Sequence, residues 1–444
     1  MRRISLSRMV VGISIAAILA IGLWNAFRFP IALSYDFVAN SNYMHVVLDE
    51  HRLPTREETS EYRQPPVYYV VGGLASRAGR FVFHWDEGPT NLIPEHSFRG
   101  AQILNVAFVL GTAFLVLSLA RIVAPGRPVV HASSVAFFAF LPVVAKTAAM
   151  FHPEPMNMFL STLAVWLTVK IASGAPHPRR LLAYLVAVLV VGIGTRASNA
   201  FTALAVAIAL LAMFRPHLSL ATLRKHAAPL GAAIVVFGAV GFWILHGAHV
   251  GNLSPSWSLS ATSPTHFFRW PSSSLFTHPY RPWFRNEAFN ETYTEIWGDW
   301  IGAFAWSTYA GAPTGTALAV LKDQNGIGVV PTLLALAGFV LLCREALRRR
   351  ELLAIALVPP IAIAGYLLRS SHVSPDGDLF KASYILTTAP MWALAFGLAF
   401  DRLGRFRLGG LPYVQIALGV ALVFFAGMDL RFVLYGVRDG TVIF

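Results

Sequence analysis

About eleven apolar runs, each close to the roughly 20 residues that cross some 30 Å of hydrocarbon, constrain this chain more than any other feature. They lie near residues 9–27, 99–122, 129–149, 156–173, 181–196, 198–214, 227–247, 328–343, 352–368, 382–400 and 411–430. The fifth and sixth meet at "GTRASNA", either a tight reversal between two short spans or a polar break inside one membrane-embedded pair. Backbone N–H and C=O groups find no water in hydrocarbon, so such runs must satisfy them internally as helices. Composition agrees: 56% of residues are hydrophobic and 13% charged, with a mean hydropathy of +0.58, whereas about a quarter of a soluble globule is charged. The expected fold class is an all-α integral membrane protein of about 11 transmembrane helices, one membrane domain over 1–444.

Orientation follows from Lys and Arg, because positively charged flanks stay cytoplasmic. With the N-terminus cytoplasmic, "MRRISLSR", "RIVAPGR", "KIASGAPHPRR", "RPHLSLATLRK", "REALRRRE" and "DRLGRFR" all fall inside. Two long segments then fall outside, a first outer loop at 28–98 and a second at 248–326, with short outer loops at 150–155 and 369–381 and the tail from Arg431. The first run has the charged start of a signal peptide, but it ends in "LWNAFRFP" with no small-x-small cleavage site, so it is expected to remain as a span. The net charge of +13 sits mostly in the inner loops, where anionic lipid headgroups account for it, so nucleic acid is not an expected partner. A single cysteine, Cys343, excludes an internal disulfide. There is no glycine-rich phosphate loop, no Cys/His metal spacing and no repeat.

The polar stretch "SYDFVANSNYMHVVLDEHRLPTREETSEYRQPPVYY", residues 34–69, stands directly behind the first span. Phe37, Tyr43, Met44, Val47 and Leu48 recur near a helical period that Pro54 ends, which predicts an interfacial helix beginning at Asp36. A carboxylate there is either a helix cap or a chemical group, and the residues alone leave both open. The run "VYYVVGGLASRAGRFVF" is too polar at its flanks for a span and is expected at the interface, with Tyr68 and Tyr69 at headgroup level.

Further polar candidates lie in the other outer segments. "MFHPEPMNM" presents His152 and Glu154 on a proline-stiffened loop, which equally suits a tight helix–helix turn. With Asp36 they could make a three-ligand set for a divalent cation, although His-x-Glu by itself is a weak metal signal, and no cofactor is certain from the sequence. Arg196 sits in a polar notch with Thr195, Ser198 and Asn199. In the second long loop, Trp257, Trp270, Tyr280, Trp283, Phe284, Tyr293, Trp297 and Trp300 suit sugar stacking or a membrane interface alike. Glu291, Glu295 and Asp299 share one face if "NETYTEIWGDW" is helical, suiting acceptor hydroxyls or a cation.

The order of these features resembles the GT-C glycosyltransferases, in particular bacterial proteins similar to dolichyl-phosphate-mannose-protein mannosyltransferases and aminoarabinose transferases. The resemblance is carried by the aromatic-Asp dipeptide and "QPPVYY" of the first loop, by "FRGAQILNVAFVLGTAFLVLSLARIVAPGRP", "FLPVVAKTAAMFHPEPMNMFLSTLAVWL" and "VGIGTRASNAF", and by "GDLFKASYILTTAPMWAL". It departs from the family pattern where Phe37 follows Asp36 in place of an acid, and where Arg63 stands two residues before the prolines, with Glu61 two positions earlier.

The resemblance implies a multi-pass enzyme of the bacterial inner membrane with its active site facing the periplasm. It would transfer a hexosyl or pentosyl group, with inversion, from a polyprenyl-phosphate-linked donor to a glycan, lipid or protein acceptor. Asp36 would be the base. Arg63, Arg99, Arg196, Lys381, Arg369 and His372 are the outer groups available to the phosphate, although a lone Arg99 also suits a helix end as a snorkelling side chain. His152, Glu154, Glu291 and Glu295 would be second acids or acceptor contacts. A transporter or lipid flippase, and a lipid-glycan polymerase or ligase, are the competing classes, and the former often carries inverted repeats that are not seen here.

Overall fold

The apolar runs form helices in the computed structural model, which describes residues 6–83, 98–214, 273–280, 287–302, 304, 315–373, 381–406, 412–438 and 441–442. Leu6–Arg28 (α1) is apolar over 23 residues, about 34 Å at the helical rise and so enough to cross a bilayer. A short 3-10 turn leads to α2 (Phe37–Asp49) and then α3 (Val67–Phe83). The chain continues through α4 (Arg99–Val123), α5 (Pro128–Ala139), α6 (Pro142–Ala148), α7 (Glu154–Ala172), α8 (Pro178–Thr195) and α9 (Asn199–Phe214). Within the segment expected as the second long loop lie α10 (Ala288–Trp297) and most of α11 (Gly315–Ile327), and α12 (Val329–Arg348), α13 (Leu353–Val373), α14 (Ala389–Leu403) and α15 (Tyr413–Val433) follow. Two two-residue strands, Val437–Arg438 and Thr441–Val442, close the described chain.

Among the described residues, 8 helical segments are long and apolar enough to cross a membrane, or 9 if α5 and α6 count as one bent span. The expected run at 227–247 lies outside the described residues, as do Trp257, Trp270, Trp283 and Phe284 of the second loop. The run expected at 328–343 is part of a longer helical segment, 315–348, so helix begins inside what was expected to be loop. At "GTRASNA" the chain turns between α8 and α9 over three residues, Arg196 to Ser198.

Burial separates the centre from the rim. The segment 382–403 is 83% buried and α7 67%, whereas α1 and α15 are only 22% and 17% buried and present their apolar side chains outward. An apolar exterior is what lipid requires of a spanning bundle. Small residues let the central helices touch: a Cβ at Gly338 of α12 would lie 1.8 Å from the Ala395 carbonyl oxygen of α14. The break between α5 and α6 has a covalent cause, because Pro142 has no N–H to continue a helix, and the two pieces bend by 51°.

Several arginine-bearing loops gather at one end of the bundle. Arg127 pairs with Asp401, Arg349 donates to the carbonyls of Ile122 and Val123, and Arg350 reaches the carbonyl of Ala212. The candidate residues lie elsewhere, around α2, the α6–α7 turn, the α8–α9 turn and Lys381.

Tyr68 and Tyr69, expected at the membrane interface, do not present their rings to headgroups, since both are fully buried inside the protein. Tyr69 stacks on Tyr43 with ring centroids 4.0 Å apart, and Tyr68 packs on Phe151. Their hydroxyls have inside partners: Asn105 and the backbone N–H of His152 donate to Tyr68, and Tyr69 donates to Asn40. A tyrosine whose hydroxyl is satisfied within the protein has no need of the interface.

Candidate active site

Asp36 occupies the N-cap position of α2 in the left-handed region, φ 54° and ψ 30°, and its side chain makes no capping hydrogen bond. The carboxylate turns instead to Lys381, whose Nζ donates to Oδ2 at 2.7 Å. The capping alternative therefore does not describe this residue.

Lys381 immediately precedes the 3-10 turn at 382–388 and is itself buried. Its ammonium lies 5.5 Å from the ring centre of Tyr35 and 6.0 Å from that of Tyr384. The guanidinium of Arg196, at the C-cap of α8, lies 5.0 Å from the same Tyr384 ring. Two cations thus share one aromatic face-forming residue, an arrangement that the ring quadrupole favours and that keeps like charges close.

Glu154 opens α7, where a carboxylate complements the helix dipole. Its Oε1 lies 2.8 Å from Arg196 Nε, and its Oε2 accepts from Asn157 at 2.8 Å. Asn157 also donates to the hydroxyl of Ser198 and accepts from Asn199 at 2.8 Å, which ties α7 to the α8–α9 turn. The polar notch around Arg196 is accordingly a hydrogen-bonded seat for one guanidinium, not an open cleft.

His152 is buried on the α6–α7 turn, its ring edge-on to Tyr35 with centroids 6.0 Å apart. Burial, reinforced by Arg196 and Lys381, pushes its pKa well below the usual histidine range, so the imidazole is neutral. Its Nδ1 has no hydrogen-bond partner among the described residues.

Glu291, Glu295 and Asp299 are all buried. Glu295 accepts from the hydroxyl of Tyr35 at 2.7 Å and from the Ile301 N–H at 2.8 Å, with the Nζ of Lys146 3.4 Å from Oε2. Lys146 donates in addition to the Gly298 carbonyl, and Asp299 accepts from the Phe304 N–H. Glu295 and Asp299 are therefore taken up inside the protein, since a buried carboxylate needs donors on its lone pairs. Arg63 is exposed, lies against its neighbour Tyr62 and donates to that hydroxyl at 2.7 Å. Arg99 reaches the ring and carbonyl of Phe27 at the end of α1, a helix-end role. The side chains of Arg369 and His372 lie outside the described residues. Among the described residues no three His, Cys, Asp or Glu side chains come together as metal ligands; Asp36 and Glu154 face their own cations instead.

The structure adds Lys146, Tyr384, Asn40 and Asn157 to the residues that sequence reasoning singled out. Lys146 had a readable signal, being a charged residue inside an apolar run, where ionisable groups are rare and functional by default. Beside the site, an apolar cavity of about 390 Å³ lies between α5, α10, α12, α13 and α14, bordered by Phe137, Trp297, Leu336, Tyr366, Ile385 and Trp392. Ala382, the residue after Lys381, and Ile385 border it, so the 3-10 turn that follows Lys381 forms part of the cavity wall, while the Lys381, Asp36 and Arg196 side chains lie outside its lining.

No protein-family model and no curated protein sequence matches the chain. Solved structures do. ArnT from Cupriavidus metallidurans, in the apo state, superimposes with a TM-score of 0.50 at 14% identity over 94% of this chain and 64% of ArnT. The archaeal oligosaccharyltransferase AglB from Archaeoglobus fulgidus, in complex with an inhibitory peptide and a dolichol-phosphate, gives 0.51 at 14% identity over 97% of this chain and 56% of AglB. The chain spans less than two thirds of the length of either. Over nearly all of its own length the chain nonetheless shares the fold of ArnT and AglB, the GT-C fold.

Proposed function

We propose that this protein is an integral membrane glycosyltransferase that moves a sugar from a polyprenyl-phosphate-linked donor to an acceptor hydroxyl at the outer face of a bacterial inner membrane. The observation that carries this reading is the meeting of Asp36, Lys381 and Arg196 around Tyr35 and Tyr384, next to an apolar cavity. A lipid phosphate asks for that combination: cations for the head, an apolar surface for the tail and a carboxylate near the anomeric carbon. The AglB structure holds a dolichol-phosphate, the same ligand chemistry.

In this reading the acceptor oxygen attacks the anomeric carbon as the bond from that carbon to the phosphate oxygen breaks. Asp36 takes the acceptor proton, and the lipid phosphate departs into the field of Lys381 and Arg196. Attack opposite the leaving phosphate inverts the anomeric centre. Before donor binding, Lys381 holds Asp36; the donor phosphate competes for that ammonium and leaves the carboxylate free to act as a base.

Membranes carrying the protein, supplied with radiolabelled polyprenyl-phosphate monosaccharides, test the proposal, and parallel reactions with chelator report on divalent cations. Label should move from the donor lipid to an acceptor. Retention of all label on the donor, or its movement across the membrane without transfer, would overturn the reading and favour a transporter.

A further inference from the structure

Asp36 has a backbone conformation that side-chain-bearing residues rarely adopt, and it persists only where the surroundings over-determine it. Two sets of contacts do so, one on Tyr35 and Asp36 together and one on Tyr35 alone. On one side Asn40 donates to the carbonyl of Tyr35 at 3.1 Å, its own amide N–H donates to the Asp36 carbonyl at 2.8 Å, and Tyr69 steadies the Asn40 side chain. On the other side the Tyr35 hydroxyl donates to Glu295, which Lys146 and the Ile301 N–H hold in place.

The second set is expensive. Lys146 and Glu295 are both 1% exposed at the side chain, and a buried ion pair is weak evidence of stability, since an apolar pair of the same shape often does as well, which leaves the fixing of one geometry as the role to test here. Here the fixed object is Tyr35, whose ring lies under Lys381 and edge-on to His152.

We propose that Tyr35 is a positioning residue: its hydroxyl, seated on the buried Lys146–Glu295 pair, holds the Asp36 carboxylate against Lys381, so that α10 of the second long loop sets the geometry of the site on the first. The consequence for transfer rests on the reading of Asp36 as the base. A misplacement of about 1 Å at a reacting group costs up to ~10² in rate, which is the scale on which such a seat matters.

The test uses the full-length protein in membranes and the Tyr35→Phe variant, which removes one oxygen and keeps the ring. The kcat of transfer should fall between about 10- and 100-fold with the donor KM little changed. Combined with Glu295→Gln, the two losses should not add, because both remove the same contact. A second readout needs no activity. A water-soluble carbodiimide activates the Asp36 carboxylate, which is 34% exposed; the Lys381 amine then displaces the activated group, leaving an amide cross-link and a urea. Mass spectrometry should find that cross-link in the parent protein and several-fold less of it in Tyr35→Phe. Equal cross-linking in both proteins would overturn the proposal, as would a lower thermal midpoint with unchanged kcat, which marks a merely structural role. If Asp36→Asn turns over normally, the base reading fails while the cross-link yield still decides what Tyr35 positions.

Discussion

The Oδ2 of Asp36 lies 2.7 Å from the Nζ of Lys381, a residue 345 positions further along the chain. That pair joins the segment between α1 and α2 to the start of the 3-10 turn that leads into α14, the most buried of the candidate spans among the described residues. It also makes Asp36 separable from a helix cap, because the side chain gives nothing to the N-terminus of α2.

Asp36→Asn should insert and fold like the parent protein but lose about 10²–10⁴ in transfer rate, the usual effect of removing a general base. Turnover in membranes, at matched expression, measures it. Near-parental turnover would end the catalytic reading. Glu50→Gln, which alters only an exposed pair with Arg52, is the silent control.

The two cations should respond differently to truncation. Lys381→Ala frees a partly exposed Asp36, so folding should survive while the donor KM rises, since the phosphate loses a charge-assisted partner. Arg196→Ala leaves Glu154 buried without its cation, a change that typically costs about 3–5 kcal/mol. Its yield of folded protein should drop along with donor use. Arg196→Lys keeps the charge but loses the guanidinium fork, so it should fold and retain only part of the activity. Comparing detergent-extracted yields with donor KM for the three variants separates the two effects.

How far the sequence went is clear from particular residues. Asp36 stood out as a candidate through the resemblance of its aromatic-Asp dipeptide to the GT-C first loop, since the residues alone left a helix cap equally open, and Arg196 because "GTRASNA" interrupts two apolar runs. Lys381 and Glu154 were candidates too, but their pairing with Asp36 and Arg196 was not legible, because hydropathy and periodicity report which side chains avoid water and say nothing of which polar atoms meet. Lys381 and Asp36, or Arg196 and Glu154, find each other only through the tertiary packing of separate helices. Lys146 was lost inside the run 129–149, whose apolar neighbours set the average. Tyr68 and Tyr69 were placed at the interface from a frequency rule, and the hydroxyl partners that bury them come from α2, α4 and the α6–α7 turn.

Orientation is open to a direct measurement. In a Cys343→Ser background, Ser60→Cys and Arg63→Cys sit on exposed positions of the loop between α2 and α3, and Arg179→Cys and Arg348→Cys on exposed positions in the first turn of α8 and the last turn of α12. A membrane-impermeant maleimide applied to intact cells should label the first two, and the second two only after the membrane is opened. Labelling of Ser60→Cys from the cytoplasmic side alone would move the site to the wrong face for an outward-facing transferase.

His152 supplies a pH signature. Its folded-state pKa lies well below the usual value of about 6.5, so the unfolded chain binds a proton that the folded protein refuses. The contribution of neutral His152 is therefore fully present above about pH 6.5 and is lost as pH falls below that value, with a slope of at most about 1.4 kcal/mol per pH unit. Thermal midpoints should fall with acidification from pH 7 to 5 in the parent protein. His152→Asn cannot take up that proton, so its midpoint should start lower, because a buried ring has been replaced, yet decline less steeply over the same range. Parallel pH profiles for the two proteins would assign the acid sensitivity to groups other than His152.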